Sequence, residues 1–112
     1  MSIRDQIRKG STTLLILTVL AEEPMYGYQI SQELAERSGG YFDMKEGLLY
    51  PLLHRMQHEG LLRSDWQEAN GARRRKYYAI TAAGLEALQE QREEWQLFMG
   101  KLQALLGGMD AA

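Results

Sequence analysis

Apolar positions recur along the chain with two different periods, and the change from one to the other divides it. Residues 43–60, DMKEGLLYPLLHRMQHEG, follow the helical period: Leu49, Leu52, Leu53 and Met56 fall on one side of a 3.6-residue wheel and form a stripe expected to face a core. Opposite lie Gly47, Pro51, His54 and His58, with Leu48 and Arg55 on one edge of this outer face and Tyr50 and Gln57 on the other. Asp43 and Glu46 stand in capping-box spacing, which starts the helix at Asp43. A start nearer Gly47 suits Pro51 better, because proline lacks the N–H that would bond the Gly47 carbonyl, and both starts remain open.

The same period recurs on both sides of this segment. Ile3 and Ile7, four apart among Arg4, Arg8 and Lys9, predict a short amphipathic helix or arm whose thin apolar edge must dock on something. Ser11 or Thr12 caps a separate, nearly all-apolar helix running through LLILTVLAEE to Pro24. Ile30 and Leu34 place a second helix over residues 26–37, ended by Ser38-Gly39-Gly40, and Gly60 closes the third. Period two takes over in LLRSDWQEA and RKYYAIT, two strands with Leu62, Trp66, Tyr78 and Ile80 facing inward, joined by a turn at Asn70-Gly71. Thr81 caps a last helix that runs to a Gly107-Gly108 stop. Positions 85, 88, 92, 95, 99, 102 and 106 are Leu, Leu, Arg, Trp, Met, Leu and Leu, a heptad rhythm broken only at Arg92. At 1.5 Å per residue it spans roughly 40 Å, more than so small a domain covers, and a second copy of the chain is the expected partner.

Helix, helix, helix, hairpin, long helix is the order of a winged helix-turn-helix carrying a long C-terminal dimerisation helix, mainly α with a small β-hairpin. Residues 1–81 are expected to form the winged-helix domain with its N-terminal helical arm, and residues 82–112 the dimerisation helix and a short tail. In such a fold the third helix enters the major groove of duplex DNA and the wing meets backbone. Other winged helices bind protein, so an adaptor that does not bind DNA is the alternative.

Composition sharpens this reading. The chain holds 112 residues, enough for one core, and no cysteine, which excludes disulfide and thiolate chemistry. The first ten residues lack the apolar stretch of a signal peptide, and the run Leu14 to Ala21 is too short to cross a membrane, so a cytoplasmic protein is expected. A net charge of −2 with pI near 5.7 is unusual for a nucleic-acid binder. Its distribution matters more. Residues 1–80 carry 11 of the 13 Lys and Arg and 10 of the 15 Asp and Glu, a balance of +1, whereas residues 81–112 carry 2 and 5, a balance of −3. Arg73, Arg74, Arg75 and Lys76 are four consecutive cations, placed by this reading at the hairpin tip, where a phosphate would relieve their mutual repulsion.

Enzyme chemistry has little to stand on. His54 and His58 are spaced to share a metal, but there is no HExxH glutamate, no cysteine and no third histidine, and neither a phosphate loop nor a nucleophile with a base is present. No cofactor is expected.

The motifs MYGYQI, EGLLYPLLHRMQHEGLL, GARRRKYYAIT and TAAGLEAL together resemble the PadR-like bacterial transcriptional regulators, specifically the short subfamily with one C-terminal dimerisation helix. The resemblance covers nearly the whole chain. It implies a homodimeric repressor on a palindromic operator, released by a small aromatic or hydrophobic effector. By position it implies DNA contacts from Tyr26, which with Gly27 matches the tyrosine-glycine at the start of helix two where family members approach phosphate, from Lys45, Gly47, Leu48, Tyr50, Pro51, His54 and Arg55 of the recognition helix, and from Arg73, Arg74, Arg75, Lys76 and Tyr77 of the wing. Ile3, Ile7, Leu88, Trp95, Met99, Leu102 and Leu106 would form the dimer interface. Trp95 falls where some drug-sensing members line an apolar pocket at that interface, here with Phe98 and Met99. Two positions depart from the family's pattern. Leu48 replaces a hydroxyl residue and could touch a thymine methyl, and Lys45 replaces a capping serine and could pair a phosphate, so the operator is expected to differ from that of better-matching relatives.

Overall fold

In a computed structural model, which describes residues 2–69 and 73–110 and of residues 69 and 108–110 only the backbone, four helices enclose one core beside a three-stranded sheet. The elements are α1 (Ile3–Leu20), β1 (Met25–Tyr26), α2 (Gly27–Arg37), α3 (Glu46–His58), β2 (Leu62–Ala69), β3 (Arg73–Ile80) and α4 (Ala82–Asp110). Winged helix-turn-helix is thus the observed architecture, mainly helical as expected. The expected Asn70-Gly71 turn lies outside the described residues.

The arm and the first helix are one element. The Ser2 hydroxyl caps α1 by accepting from the Asp5 N–H at 3.1 Å, and the helix continues through Gly10. Ser11 and Thr12, expected as caps, are buried inside it. Their hydroxyls donate to the carbonyls of Ile7 and Lys9, so they have no backbone groups to cap. α1 ends at Leu20 rather than reaching Pro24. After Pro24 the chain extends, and Met25 and Tyr26 pair with Tyr78 and Tyr77 as a third, antiparallel strand in the order β1-β3-β2. Two residues are too few to display an alternation, so no strand was expected there. Tyr26, read as helical, is instead the N-cap of α2.

α3 begins after Lys45, not at Asp43, which is exposed and outside the helix. Leu49, Leu53 and Met56 are completely buried against Ile16, Leu17, Ile30 and Tyr78, with Leu52 packed at the margin. At the far end Gly60 adopts φ 84°, the Gly60 N–H donates to the Gln57 carbonyl, and the Leu61 N–H donates to the Met56 carbonyl, both at 3.0 Å. This Schellman closure turns the chain directly into β2.

The last helix is seated on that corner. Thr81 donates from its N–H to the Leu61 carbonyl and from its hydroxyl to the Gly60 carbonyl, and its oxygen accepts from the Gly84 N–H at 3.0 Å. Gly84 packs so closely that a Cβ there would stand 2.2 Å from the Leu61 oxygen. The start of α4 is therefore clamped to the end of α3. Leu88 is buried against the core, but beyond it no described side chain of α4 is buried. The helix continues through Gly107 and Gly108 to Asp110, past its expected stop, because glycine weakens a helix by only about 1 kcal/mol and does not forbid it.

Candidate nucleic-acid interface

The core stripe of α3 fixes its opposite side outward. Lys45, Gly47, Leu48, Pro51, His54, Arg55 and His58 are all exposed, so the outer face read from the helical wheel is the face the fold presents. Tyr50 differs from its neighbours. Its ring leans sideways over Gly27, at the N-terminus of α2, so closely that a Cβ on that glycine would lie 2.7 Å from the tyrosine Cζ and Oη. Gln57, on the same edge, accepts from the Ser64 hydroxyl at 3.0 Å and ties α3 to β2.

The four cations lie along β3, not at the hairpin tip. Register pairs Ala69 with Arg73, Glu68 with Arg74, Gln67 with Arg75 and Trp66 with Lys76. Alternation sends Arg73, Arg75 and Tyr77 to one face of the sheet and Arg74, Lys76 and Tyr78 to the other. The Arg75 guanidinium sits 4.4 Å from the centre of the Tyr26 ring, which itself meets the Tyr77 ring edge-on at 5.4 Å. On the other face Arg74 lies 5.7 Å from the Trp66 ring and Lys76 lies 5.6 Å from that of Tyr78. Among the described residues, no carboxylate lies within ion-pair distance of these four cations.

Trp66, expected to point inward, is 59% exposed. The alternation itself is right, since Leu62 and Tyr78, on its face, are buried and Ile80 packs against the core. The strands simply outrun the core: Ser64, opposite Tyr78, reaches the last turn of α3 through Gln57, and the Trp66–Lys76 pair lies one repeat further out.

Between α3 and the sheet lies a cleft of about 560 Å³. Tyr26, Tyr50, His54, Trp66 and Tyr78 line it together with Arg73, Arg74, Arg75 and Lys76. Burial holds the Tyr50 and Tyr78 phenols above their ordinary value, with the carboxylate of Glu46 adding to the shift at Tyr50 and Tyr50 itself adding to that at Tyr78. Both hydroxyls therefore stay protonated through neutral pH and remain donors. Gly27, Tyr28 and Trp66 also line this cleft; the resemblance marks Gly27, beside Tyr26, as a place where phosphate is approached, whereas the sequence assigns Tyr28 and Trp66 to no contact surface. Counting the hairpin register outward from Tyr78 was the available signal for Trp66.

A second cleft, about 420 Å³, flanks α3 on its other edge, between Gly47, Leu48, Pro51 and Arg55 and the α1 residues Arg8 and Lys9. His54 and His58 gather no third ligand, since no group of three or more His, Cys, Asp or Glu able to hold a metal occurs among the described residues.

The residues read as a dimer face sit apart, on α1 and α4. Ile3 and Ile7 are exposed, as are Met99, Leu102 and Leu106, while Leu105 is 82% exposed. Leu88 is the exception: its own subunit buries it, so it has little surface left for a partner. Trp95 is half-buried. With Met99 it lines a hollow of about 500 Å³ against Leu14, Leu15 and Thr18 of α1, while Phe98 stands outside that hollow, edge-on to the Trp95 ring at 5.7 Å. Among the described residues no helix is long and apolar enough to cross a membrane.

Comparison with known proteins gives one consistent likeness. Residues 16–90 match the model of the transcriptional regulator PadR-like family. The chain is 36% identical over 87 residues to the transcriptional regulator Rv3488 of Mycobacterium tuberculosis, covering 78% of each chain. Among solved structures, a PadR-like transcriptional regulator from Bacillus cereus superimposes with a TM-score of 0.80 at 37% identity, over 90% of this chain and 96% of that one. A transcriptional regulator from Clostridium thermocellum superimposes with a TM-score of 0.81 at 29% identity, over 88% and 96%.

Proposed function

Because the chain belongs to the PadR-like family of transcriptional regulators, we propose that it is a cytoplasmic homodimeric repressor that seats duplex DNA against α3 and the β2–β3 wing. The observation that carries the reading is the row Arg73, Arg74, Arg75 and Lys76, without an ion-pair partner among the described residues and lining one cleft with the recognition helix. Clustered cations repel one another, and a phosphate backbone neutralises them while releasing its own counterions. Aromatic rings under three of the four hold their heads in place, which lowers the entropy lost on contact. Lys45, Gly47, Leu48, Tyr50, Pro51, His54 and Arg55 then meet the major groove, with Tyr26 and Tyr77 supporting the wing at the backbone. This gives the net-acidic chain a basic surface where the polymer lies, and leaves the negative balance on α4, away from it.

The dimer is formed by the exposed apolar surface of α4, with Ile3 and Ile7 of α1 receiving the partner. Two copies joined in this way offer two recognition helices to a palindromic operator, at a spacing of about 34 Å, one turn of DNA. A planar apolar effector enters the hollow beside Trp95 and Met99, with Phe98 at its margin, and shifts α4. Since α4 is clamped to the end of α3, that shift changes the spacing of the recognition helices and releases DNA.

Fluorescence anisotropy on duplex DNA over a salt series tests the reading. In the Arg74→Ala/Arg75→Ala variant, two subunits lose four phosphate contacts, so the slope of log affinity against log salt flattens by about 4. An unchanged slope removes the wing from the interface. Failure of the unmodified protein to bind duplex DNA removes the reading altogether.

A further inference from the structure

Gly27 occupies the first helical position of α2, is buried, and has no unusual backbone angle to justify a glycine. Alanine would be the better residue for the helix by up to about 1 kcal/mol. What an alanine there would displace is the outer end of the Tyr50 ring. A Cβ at position 27 would stand 2.7 Å from Cζ and Oη and 2.8 Å from Cε1 of that ring, closer than real Cβ contacts allow. The ring therefore lies directly on the α2 backbone, and nothing larger than hydrogen fits beneath it.

This contact decides where Tyr50 points. Tyr50 stands on the edge of α3 that faces the wing, and a phenol on an exposed edge would ordinarily sample several rotamers. Resting on Gly27, it is confined to the cleft shared with Tyr26, His54, Lys76 and Tyr78. We propose that Gly27 is a positioning residue for sequence recognition: by leaving room for the Tyr50 ring, it fixes the phenol where a base edge is read. This rests on the DNA-binding reading above and deepens it, since it names a residue that touches no base yet governs discrimination.

A double-mutant cycle tests it. Duplexes selected from a random pool by the unmodified protein are compared with scrambled duplexes, and the ratio of the two affinities is measured. Gly27→Ala is expected to lower that ratio roughly 100-fold, the discrimination of about one base pair in each of two half-sites, as is Tyr50→Ala. In the Tyr50→Ala background the space is already vacant, so Gly27→Ala lowers the ratio no further. A ratio unaffected by Gly27→Ala, or lowered equally in both backgrounds, overturns the proposal while leaving the regulator reading intact. An unmodified protein that selects no duplex overturns that reading and this one with it. Should Gly27→Ala alone fail to fold, folding restored in Gly27→Ala/Tyr50→Ala supports the ring contact, and failure of both overturns it.

Discussion

Two glycines of α4 offer the same substitution with opposite expected signs. At Gly84 a Cβ would stand 2.2 Å from the Leu61 carbonyl oxygen and 2.6 Å from Ile80 Cγ1, more than an ångström inside the 3.4 Å at which ordinary contact begins for the former. The oxygen cannot yield cheaply. It accepts the Thr81 N–H at 3.1 Å and belongs to the chain that has just closed α3. Gly84→Ala must displace α4 or break that bond: overpacking costs about 1–3 kcal/mol and the hydrogen bond about 0.5–1.5, against about 1 returned by the better helix former. The net is a loss of about 1–3 kcal/mol, or roughly 4–12 °C in melting temperature for a chain of this size. At Gly100 nothing lies within 4 Å of the added atom, so Gly100→Ala keeps only the helical gain, about 0.5–1 kcal/mol and a rise of a few degrees. Thermal unfolding followed by circular dichroism, at one fixed protein concentration because association shifts the midpoint, reads both signs. If Gly84→Ala melts as high as Gly100→Ala, α4 is not seated on Leu61 and the coupling of α4 to α3 falls with it.

Three further outcomes follow from exposed or partly buried groups. Leu102→Glu, at a position exposed in the single subunit, should leave helicity intact while weakening self-association on the order of 100-fold or more, because each of two symmetric copies loses a buried leucine; sedimentation equilibrium showing the same assembly state would exclude that face. Burial raises the phenol values of Tyr50 and Tyr78, so the folded state resists their ionisation: stability should be intact below the ordinary tyrosine value of 10.0 and decline as pH rises through the raised values. Phenolate absorbance should then show a late-titrating component, and Tyr50→Phe should reduce it. With Trp66→Phe leaving Trp95 the sole indole, planar apolar compounds should quench its emission, and Leu15→Phe, which adds bulk to the facing wall of the hollow, should weaken the quenching; quenching unaltered by that substitution places the ligand elsewhere.

What the sequence made legible was what local rules decide. The α3 stripe is periodic over three turns, the Gly60 closure needs only a residue tolerant of positive φ, and Thr81 is a cap whose hydroxyl oxygen stands three residues before the N–H it accepts. The errors arose where a residue had two acceptable states and packing chose between them. Ser11 and Thr12 can cap a helix or bond back within one, and burial against the core selected the second. Trp66 has the inward phase of its strand, but only the length of the hairpin relative to α3 says that no core remains there. The strand read as RKYYAIT left out Arg73 and Arg74, and the four cations were set at the hairpin tip; in β3, which starts at Arg73, alternation parts them two and two, and rings of Tyr26, Trp66 and Tyr78 lie beneath three of them. The seat of Tyr50 on Gly27 joins residues 23 apart and leaves no local pattern.

The most direct measurement is hydroxyl-radical footprinting of the protein on its own selected duplex, with the stoichiometry of the same complex determined by sedimentation. A pair of α3–wing units joined through α4 predicts two chains per duplex and two protected half-sites centred about 34 Å apart on one face of the DNA. One chain on one protected segment, or a footprint unchanged when the wing arginines are removed, would contradict it.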